Sequence, residues 1–213
     1  MQSILGVALS LFVTLAAAGG PAWAQAAQQD QVLVRIETPL GDIDLAVDVK
    51  HAPITAANFL KYVDGKFYDG GRFHRATRPD NYTPVPPDKP AMEIIQGGIN
   101  PERRAQGFGR IPLERTSVTG LKHVVGAVSM ARTPEADSAT SDFFICLDDQ
   151  PSLDFGGKRF DDGQGGAAFA RVVKGLDVVR KIQHQPTNAA GDTPSRRQSL
   201  MPPISITRMF RVQ

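Results

Sequence analysis

The triplet Phe73-His74-Arg75 combines residue types that could do chemistry. Side chains on an extended strand alternate between two faces, so we expect Phe73 and Arg75 on one face and His74 on the other. An aromatic ring beside a guanidinium makes an apolar floor next to a cation, which can hold an apolar group and donate hydrogen bonds beside it. For this triplet alone, a simpler interpretation is that Phe73 belongs to the core and Arg75 extends to water.

Two segments further along the chain favour the chemical interpretation. They are Ile95-Gln96-Gly97-Gly98 and Ser141-Asp142-Phe143-Phe144-Ile145. A single short motif is weakly specific, whereas several motifs in a given order are strongly specific. A functional site around Arg75 is therefore the better hypothesis.

The elements that must position these residues are mostly strands. Apolar and polar residues alternate on both sides of Thr38-Pro39-Leu40-Gly41, which predicts a hairpin over residues 32–48. Pro53 suits the first turn of a helix, and Gly65 suits its C-terminal cap. Between them, apolar residues recur at helical spacing, namely Ala56, Phe59, Leu60 and Val63.

The rest of the chain continues with short strands. We predict strands at residues 72–75, 92–96, 124–131, 142–147 and 167–173, and a closing strand marked by Ile204, Ile206 and Phe210. A second helix is expected after Gly175, and five prolines within residues 78–91 predict a long surface loop. Roughly eight strands and two helices that do not alternate strictly indicate a mainly β fold, an antiparallel barrel rather than a parallel α/β sheet.

The first 24 residues have the features of a secretory signal peptide. They contain no charged side chain, and an apolar run over residues 4–18 precedes Ala22-Trp23-Ala24, an A-x-A cleavage pattern. The run is short for a membrane span, and an uncleaved anchor is the alternative. We therefore expect a signal peptide at residues 1–24 cleaved before Gln25, a disordered leader at residues 25–30, and one domain at residues 31–213.

Composition narrows the remaining function classes. With 24 basic and 22 acidic residues the net charge is +2, which does not provide the positive field typical of nucleic-acid binding. Cys146 is the sole cysteine, so an internal disulfide is impossible, and we expect a buried, apolar role for it. The four histidines are scattered, which disfavours a metal site, and Ser129 lacks a G-x-S-x-G motif, which disfavours a hydrolase triad.

Over about residues 31–212 the chain resembles the cyclophilins, a family of peptidyl-prolyl cis/trans isomerases. The matching segments are Pro53-Ile54-Thr55-Ala56-Ala57-Asn58-Phe59, Phe73-His74-Arg75, Gln96-Gly97-Gly98, Gly126-Ala127-Val128-Ser129-Met130-Ala131, Ser141-Asp142-Phe143-Phe144-Ile145 and Leu153-Asp154. The resemblance implies a closed eight-stranded antiparallel β-barrel capped by two α-helices, without metal or other cofactors. With the signal peptide, we expect a monomeric bacterial enzyme in the periplasm, without a membrane span once the signal is removed, acting on proline-containing unfolded or flexible polypeptides.

The resemblance also implies roles for individual residues. Arg75 corresponds to the catalytic residue, and Gln96 would help orient the substrate backbone. His74 belongs to the motif, and the alternation of the strand leaves it a supporting role. The residues that would line, support or adjoin the proline site are Phe73, Ala131, Phe144 and Leu153.

The chemistry suits an arginine. Resonance gives the peptide C–N bond partial double-bond character, so rotation faces a barrier of ~18–20 kcal/mol. At the top of this barrier the amide is twisted and its nitrogen carries a lone pair. A guanidinium that donates to this nitrogen, or that holds the neighbouring carbonyl, stabilises the twisted amide more than the planar one. Lowering the barrier by about 7 kcal/mol would accelerate rotation roughly 10⁵-fold.

The chain departs from the family pattern at the proline pocket. Glu93 and Ser152 stand where aromatic residues are frequent, Asp142 replaces a common glutamine, and residues 165–168 offer no aromatic or imidazole group. These differences predict a thinner aromatic wall. They leave open a second hypothesis, a low-activity cyclophilin-like module that binds peptides as a chaperone. An unrelated ligand-carrying barrel is a third.

Overall fold

The computed structural model describes residues 30–81 and 91–212. The predicted signal peptide, the leader before Asp30 and residues 82–90 of the proline-rich loop lie outside the described residues. The described chain begins with β1 (Gln31–Thr38) and β2 (Gly41–Asp48), which pair from Gln31 opposite Asp48 to Thr38 opposite Gly41. The predicted hairpin is confirmed.

The described strands form one antiparallel sheet. After the hairpin they are β3 (Gly71–Thr77), β4 (Ile94–Gly98), β5 (Ala127–Met130), β6 (Phe143–Cys146), β7 (Ala167–Lys174), β8 (Ser199–Ile206) and β9 (Arg208–Arg211). Their order in the sheet is β8-β3-β4-β6-β5-β7-β2-β1-β9.

The last segment of the chain brings the two ends of the sheet together. Only Thr207 separates β8, which pairs with β3, from β9, which pairs with β1. The backbone N–H of Thr207 donates to the carbonyl oxygen of Glu37 at 2.8 Å. We expected eight strands; the described residues contain nine because the closing strand is divided at Thr207, and the result is a nearly closed barrel.

Two of the described helices are the predicted ones, α1 (Pro53–Asp64) and α3 (Leu176–Gln183). Pro53 stands at the start of α1 as expected, and the predicted apolar positions of this helix are buried against the barrel. Two further helices, α2 (Thr116–Thr119) and α4 (Pro194–Arg197), were not predicted. Each has only four residues, which is too short for a helical periodicity to be seen in the sequence. No helix in residues 30–81 and 91–212 is long and apolar enough to cross a membrane.

The barrel interior is filled by aromatic side chains. Phe59 on α1 lies 4.9 Å from Phe169 and 5.7 Å from Phe143 between ring centroids, and Phe143 lies 5.9 Å from Phe73. All four rings are fully buried. Such ring pairs add about 0.5–1.5 kcal/mol each beyond the area that they bury. A packed interior of this kind argues against the ligand-carrying barrel.

A second apolar cluster lies on the outside of the barrel. Strand alternation in β6 turns Phe143 and Ile145 inward and Phe144 and Cys146 outward. The outward cluster consists of Met92, Ile94, Ala127, Phe144, Cys146 and Leu153. Cys146 is fully buried there, as predicted, and burial raises the pKa of its thiol far above the usual range. This outer cluster supports the candidate site.

Candidate active site

A β-bulge in β3 decides which residues of the central triplet face outward. Phe73 pairs with Gly97 and Arg75 pairs with the next residue, Gln96, so His74 is an extra residue without a partner position on β4. A bulge breaks the two-residue alternation and re-aims the side chains that follow it. The expectation that Phe73 and Arg75 share a face is therefore wrong.

Phe73 belongs to the barrel core. Its side chain is fully buried and meets Phe143 edge to face. A Cβ atom on Gly97 would lie 2.8 Å from the Phe73 ring, so the glycine makes room for it. Phe73 can therefore support the site only through the side chains that pack against it. The interpretation of Phe73 as a core residue is correct.

Arg75 lies on the outer face, where two glutamines hold its guanidinium. Nη1 donates to Oε1 of Gln96 at 3.1 Å. Nε and Nη2 both donate to Oε1 of Gln198, at 2.9 Å and 2.7 Å. Because acceptors on two sides fix the plane of the guanidinium, Arg75 is oriented rather than extended into water.

The guanidinium borders a cavity of about 190 Å³ above the outer apolar cluster. A cavity of this size has room for a five-membered ring. The lining residues are Arg75, Met92, Ile94, Gln96, Ala131, Arg132, Phe144, Leu153, Arg159 and Phe160. Five of the seven residues that the sequence nominated are thus brought together, namely Arg75, Gln96, Ala131, Phe144 and Leu153.

Phe144 forms the floor of the cavity, and His123 supports it from below. The two rings are stacked, with centroids 6.0 Å apart and planes 14° apart. Nδ1 of His123 lies 2.8 Å from Oδ1 of Asp154, and Nε2 lies 2.9 Å from Oγ of Ser129. A carboxylate only accepts hydrogen bonds, so Nδ1 carries a proton and donates the hydrogen bond to Asp154.

This Ser-His-Asp arrangement has the residue types of a hydrolytic triad, yet its serine is out of reach. Ser129 is fully buried and His123 is 1% exposed. A nucleophile that no substrate can contact has no catalytic use, so the three residues form a buried support for Phe144. The absence of a G-x-S-x-G motif around Ser129 predicted the same conclusion.

We expect the carboxylate of Asp154 to stabilise the fold in a pH-dependent way. Burial alone would raise its pKa, but hydrogen bonds from His123 outweigh burial and hold the pKa below the ordinary value of 3.8. A lowered pKa in the folded state gives stability that is present above about pH 4 and is lost as the pH falls through the folded-state pKa. The urea midpoint of Asp154→Asn should therefore differ most from wild type near neutral pH. A difference that stays constant down to about pH 3 would contradict this assignment.

Phe160 supplies an aromatic wall that the sequence did not reveal. The guanidinium of Arg132 stacks on it, 3.5 Å from the ring centroid. Arg132 is itself held by the carbonyl oxygen of Gly165 at 2.8 Å and by Asp162 at 2.8 Å, and its side chain is 1% exposed. The prediction that the pocket has few aromatic walls is thus only partly correct. Phe160, in the glycine-rich loop after Leu153, provides a ring where the other aromatic residues are absent.

His74 lies beside the cavity and does not line it. Its Nε2 is 4.0 Å from Oδ2 of Asp142, whose other oxygen lies 3.4 Å from Nη2 of Arg104. Burial lowers the pKa of His74 from its ordinary value of 6.5, although the nearby Asp142 opposes the shift. His74 therefore belongs to a polar cluster next to the site.

The described residues do not bring together three histidine, cysteine, aspartate or glutamate side chains that could hold a metal ion. The residues around the cavity offer three arginines, one amide and six apolar side chains. Such a set can bind an apolar ring and donate hydrogen bonds to polar atoms next to it.

Comparisons with known proteins identify the family of this chain. The model of the family described as cyclophilin type peptidyl-prolyl cis-trans isomerase/CLD matches residues 33–209. The chain is 36% identical over 158 residues to peptidyl-prolyl cis-trans isomerase A of Dickeya dadantii, covering 74% of each chain. It is 35% identical over 159 residues to peptidyl-prolyl cis-trans isomerase B of Escherichia coli, covering 75% of this chain and 88% of that protein.

The fold has solved counterparts as well. A crystal structure of a cyclophilin type peptidyl-prolyl cis-trans isomerase from Cryptosporidium parvum superimposes with a TM-score of 0.65 at 20% sequence identity, covering 86% of this chain and 98% of that one. The barrel, the cavity beside Arg75 and these matches lead to one conclusion: the chain belongs to the cyclophilin-type peptidyl-prolyl cis-trans isomerases.

Proposed function

We propose that this isomerase acts on X-Pro bonds of exported polypeptides and that Arg75 stabilises the twisted amide. The observation that carries the mechanism is the position of the Arg75 guanidinium at the border of a small cavity that is lined mostly by apolar residues. The cavity takes the pyrrolidine ring, and the guanidinium lies beside the imide bond that joins the ring to the preceding residue.

The apolar walls and the cation act together. Phe144, Leu153 and Phe160 hold the ring by burying its surface while the rest of the chain turns. They also exclude water around the guanidinium, which strengthens its hydrogen bonds. In the planar amide the nitrogen lone pair is delocalised and accepts hydrogen bonds poorly. Twisting localises the lone pair, so a donor placed there binds the transition state more tightly than the ground state.

Gln96 orients the substrate backbone in this mechanism. Its Oε1 accepts a hydrogen bond from Arg75, which leaves the Nε2 end of the amide as the donor toward the cavity. An amide donor beside the proline ring can hold the carbonyl oxygen of a neighbouring residue. Fixing one side of the imide bond while the other side rotates is the positioning that the reaction requires.

The nature of the substrate is supported by the relatives. A second structure of the Cryptosporidium parvum isomerase, with a TM-score of 0.63 to this chain, was determined in the presence of the dipeptide Ala-Pro. Slow X-Pro rotation, on a scale of tens to hundreds of seconds, limits the folding of many chains. A catalyst of this rotation is useful wherever polypeptides fold after export, and it needs no nucleotide.

Export itself rests on the uncharged N-terminal stretch and its A-x-A pattern. Expression of the full chain in a Gram-negative host, followed by fractionation and N-terminal sequencing, tests it. We expect a periplasmic product that begins at Gln25. A product confined to the cytoplasm with residues 1–24 intact would contradict export.

The arginine mechanism predicts a rate that does not depend on pH near neutrality. A guanidinium keeps its proton throughout this range. Burial lowers the pKa of His74 from its ordinary value of 6.5, which favours the neutral imidazole across this range. We expect kcat/KM for an X-Pro peptide to be constant between about pH 6.5 and about pH 9, whereas general acid–base catalysis would give a sloping or bell-shaped profile. Measurement of the catalysed rate in buffers of matched ionic strength decides between them.

A further inference from the structure

We infer that Gln198 is a positioning residue of the reaction, which orients the Arg75 guanidinium by a forked hydrogen bond. This inference rests on the proposal that Arg75 is the catalytic residue. Oε1 of Gln198 accepts from Nε at 2.9 Å and from Nη2 at 2.7 Å. The Nε distance is typical of an N–H···O bond, and the Nη2 distance is at the short end of the range, as expected when the donor is charged.

Gln198 is a buried residue, and its backbone is hydrogen-bonded to β3. It is 2% exposed, and its carbonyl oxygen accepts the backbone N–H of Ala76 at 2.9 Å. The next residue, Ser199, begins β8 and lies directly opposite Arg75 on β3. A buried side chain whose backbone is tied to the neighbouring strand has little rotational freedom left to lose when it binds its partner.

The register of β8 is what brings Gln198 to this place. Phe73 pairs with Ile204, and Arg75 pairs with Ser199. The single residue between Phe73 and Arg75 on β3 therefore lies opposite four residues on β8, those between Ser199 and Ile204. This irregularity lies at the same point as the bulge that turns Arg75 outward. The two irregularities thus act together. The bulge aims the arginine at the cavity, and the register of β8 places Gln198, the residue before the strand, where it can accept from the guanidinium.

Two acceptors, one on β4 and one immediately before β8, then fix the guanidinium. Gln96 on β4 accepts from Nη1, while Gln198 accepts from the Nε and Nη2 side. One acceptor would leave the side chain able to rotate about that bond. With acceptors on two sides, the plane of the guanidinium is set before substrate arrives, which reduces the reorganisation needed in the transition state.

The choice of an amide over a carboxylate is also significant. A carboxylate at this position would form a forked ion pair and neutralise the cation. An amide oxygen holds the same two N–H groups without placing a negative charge of its own against the guanidinium. We therefore expect glutamate to be a poor substitute for Gln198, although it keeps the acceptor and nearly the same shape.

The test compares Gln198→Leu with Arg75→Ala and with the double variant. Exchange NMR on a labelled X-Pro peptide gives the peptide dissociation constant and the catalysed exchange rate separately. We expect Gln198→Leu to lower the catalysed rate about ten- to a hundredfold with a dissociation constant within about twofold of wild type. In the Arg75→Ala background the same change should have no further effect, because Gln198 acts through the arginine.

Gln183→Leu is the matched structural control. Gln183 is also a buried glutamine, 3% exposed. Its Nε2 donates to the backbone carbonyl oxygen of Thr77 at 2.9 Å, at the C-terminal end of β3, and not to the Arg75 side chain. We expect its loss to lower the thermal midpoint without lowering the catalysed rate of the folded protein. Gln198→Glu should lower the catalysed rate as Gln198→Leu does.

Three results would overturn the inference. They are an unchanged catalysed rate in Gln198→Leu, an equal loss of rate with and without Arg75, and a loss of rate in Gln183→Leu as large as in Gln198→Leu. Failure of the proposed function would give a different result, because Arg75→Ala itself would then retain the wild-type rate. An inactive Arg75→Ala with a fully active Gln198→Leu rejects the positioning role alone.

Discussion

Replacement of Arg75 by alanine is expected to lower kcat/KM for an X-Pro peptide by about 10²–10³-fold, the usual cost of removing one preorganised donor from a transition state. The fall should lie mostly in kcat, because the apolar residues that bind the proline ring remain. Arg75→Lys is the sharper variant. It keeps the positive charge but loses the planar fork that Gln96 and Gln198 hold, so we expect it to recover less than a tenth of the lost activity.

Thermal unfolding of the same variants is the control, because Arg75 is partly exposed and its removal should leave the barrel folded. Peptide affinity is measured alongside the rate. If Arg75→Ala stays folded, binds peptide normally and isomerises it at the wild-type rate, the guanidinium does not act on the amide. If Arg75→Lys is fully active, charge alone is enough and the hydrogen-bonding geometry is unimportant.

Replacement of Phe143 by alanine is expected to have the largest effect on stability, about 3–5 kcal/mol. Its fully buried ring meets Phe59, Tyr68 and Phe73 at centroid distances of 5.7, 5.6 and 5.9 Å. Truncation would leave a void surrounded by rings that the barrel backbone holds in place. For a domain of this size each kcal/mol shifts the midpoint by roughly 2–4 °C, so the thermal midpoint should fall by about 10 °C.

Phe144→Ala is the matched control, since the next residue along β6 faces the cavity. It should lose less stability than Phe143→Ala but much more activity, because Phe144 is the floor on which the proline ring rests. Calorimetry and the peptide assay are applied to both variants. Equal losses of stability with equal losses of activity would contradict the division between an inner core and an outer site.

The barrel was predictable from the sequence where the chain obeys simple periods. The hairpin β1–β2 and helix α1 follow from alternation and from the spacing of Ala56, Phe59, Leu60 and Val63. The bulge at His74 was not predictable, because it arises from how β3 pairs with β4 and β8 and not from local residue types. One extra residue was enough to reverse the expected direction of Phe73.

The site shows the same division. Arg75, Gln96 and Phe144 lie in short ordered motifs, and the sequence identified them. Gln198 is 123 positions from its partner Arg75, and no local pattern marks it. Phe160 was hidden in a glycine-rich loop, where a ring is normally read as an isolated surface residue. Contacts of this kind are set by tertiary packing, which pattern and spacing along one chain do not encode.

Catalysed refolding of a proline-limited protein tests the central claim most directly, because it separates an isomerase from a module that only binds. Refolding is followed with wild type and with Arg75→Ala at equal concentrations, and the X-Pro peptide assay is run on the same samples. We predict that wild type accelerates the slow proline-dependent phase and that Arg75→Ala does not, although both bind the unfolded chain. An equal rise in refolding yield for both proteins, with no acceleration of the peptide reaction by wild type, would contradict arginine catalysis and support the chaperone hypothesis.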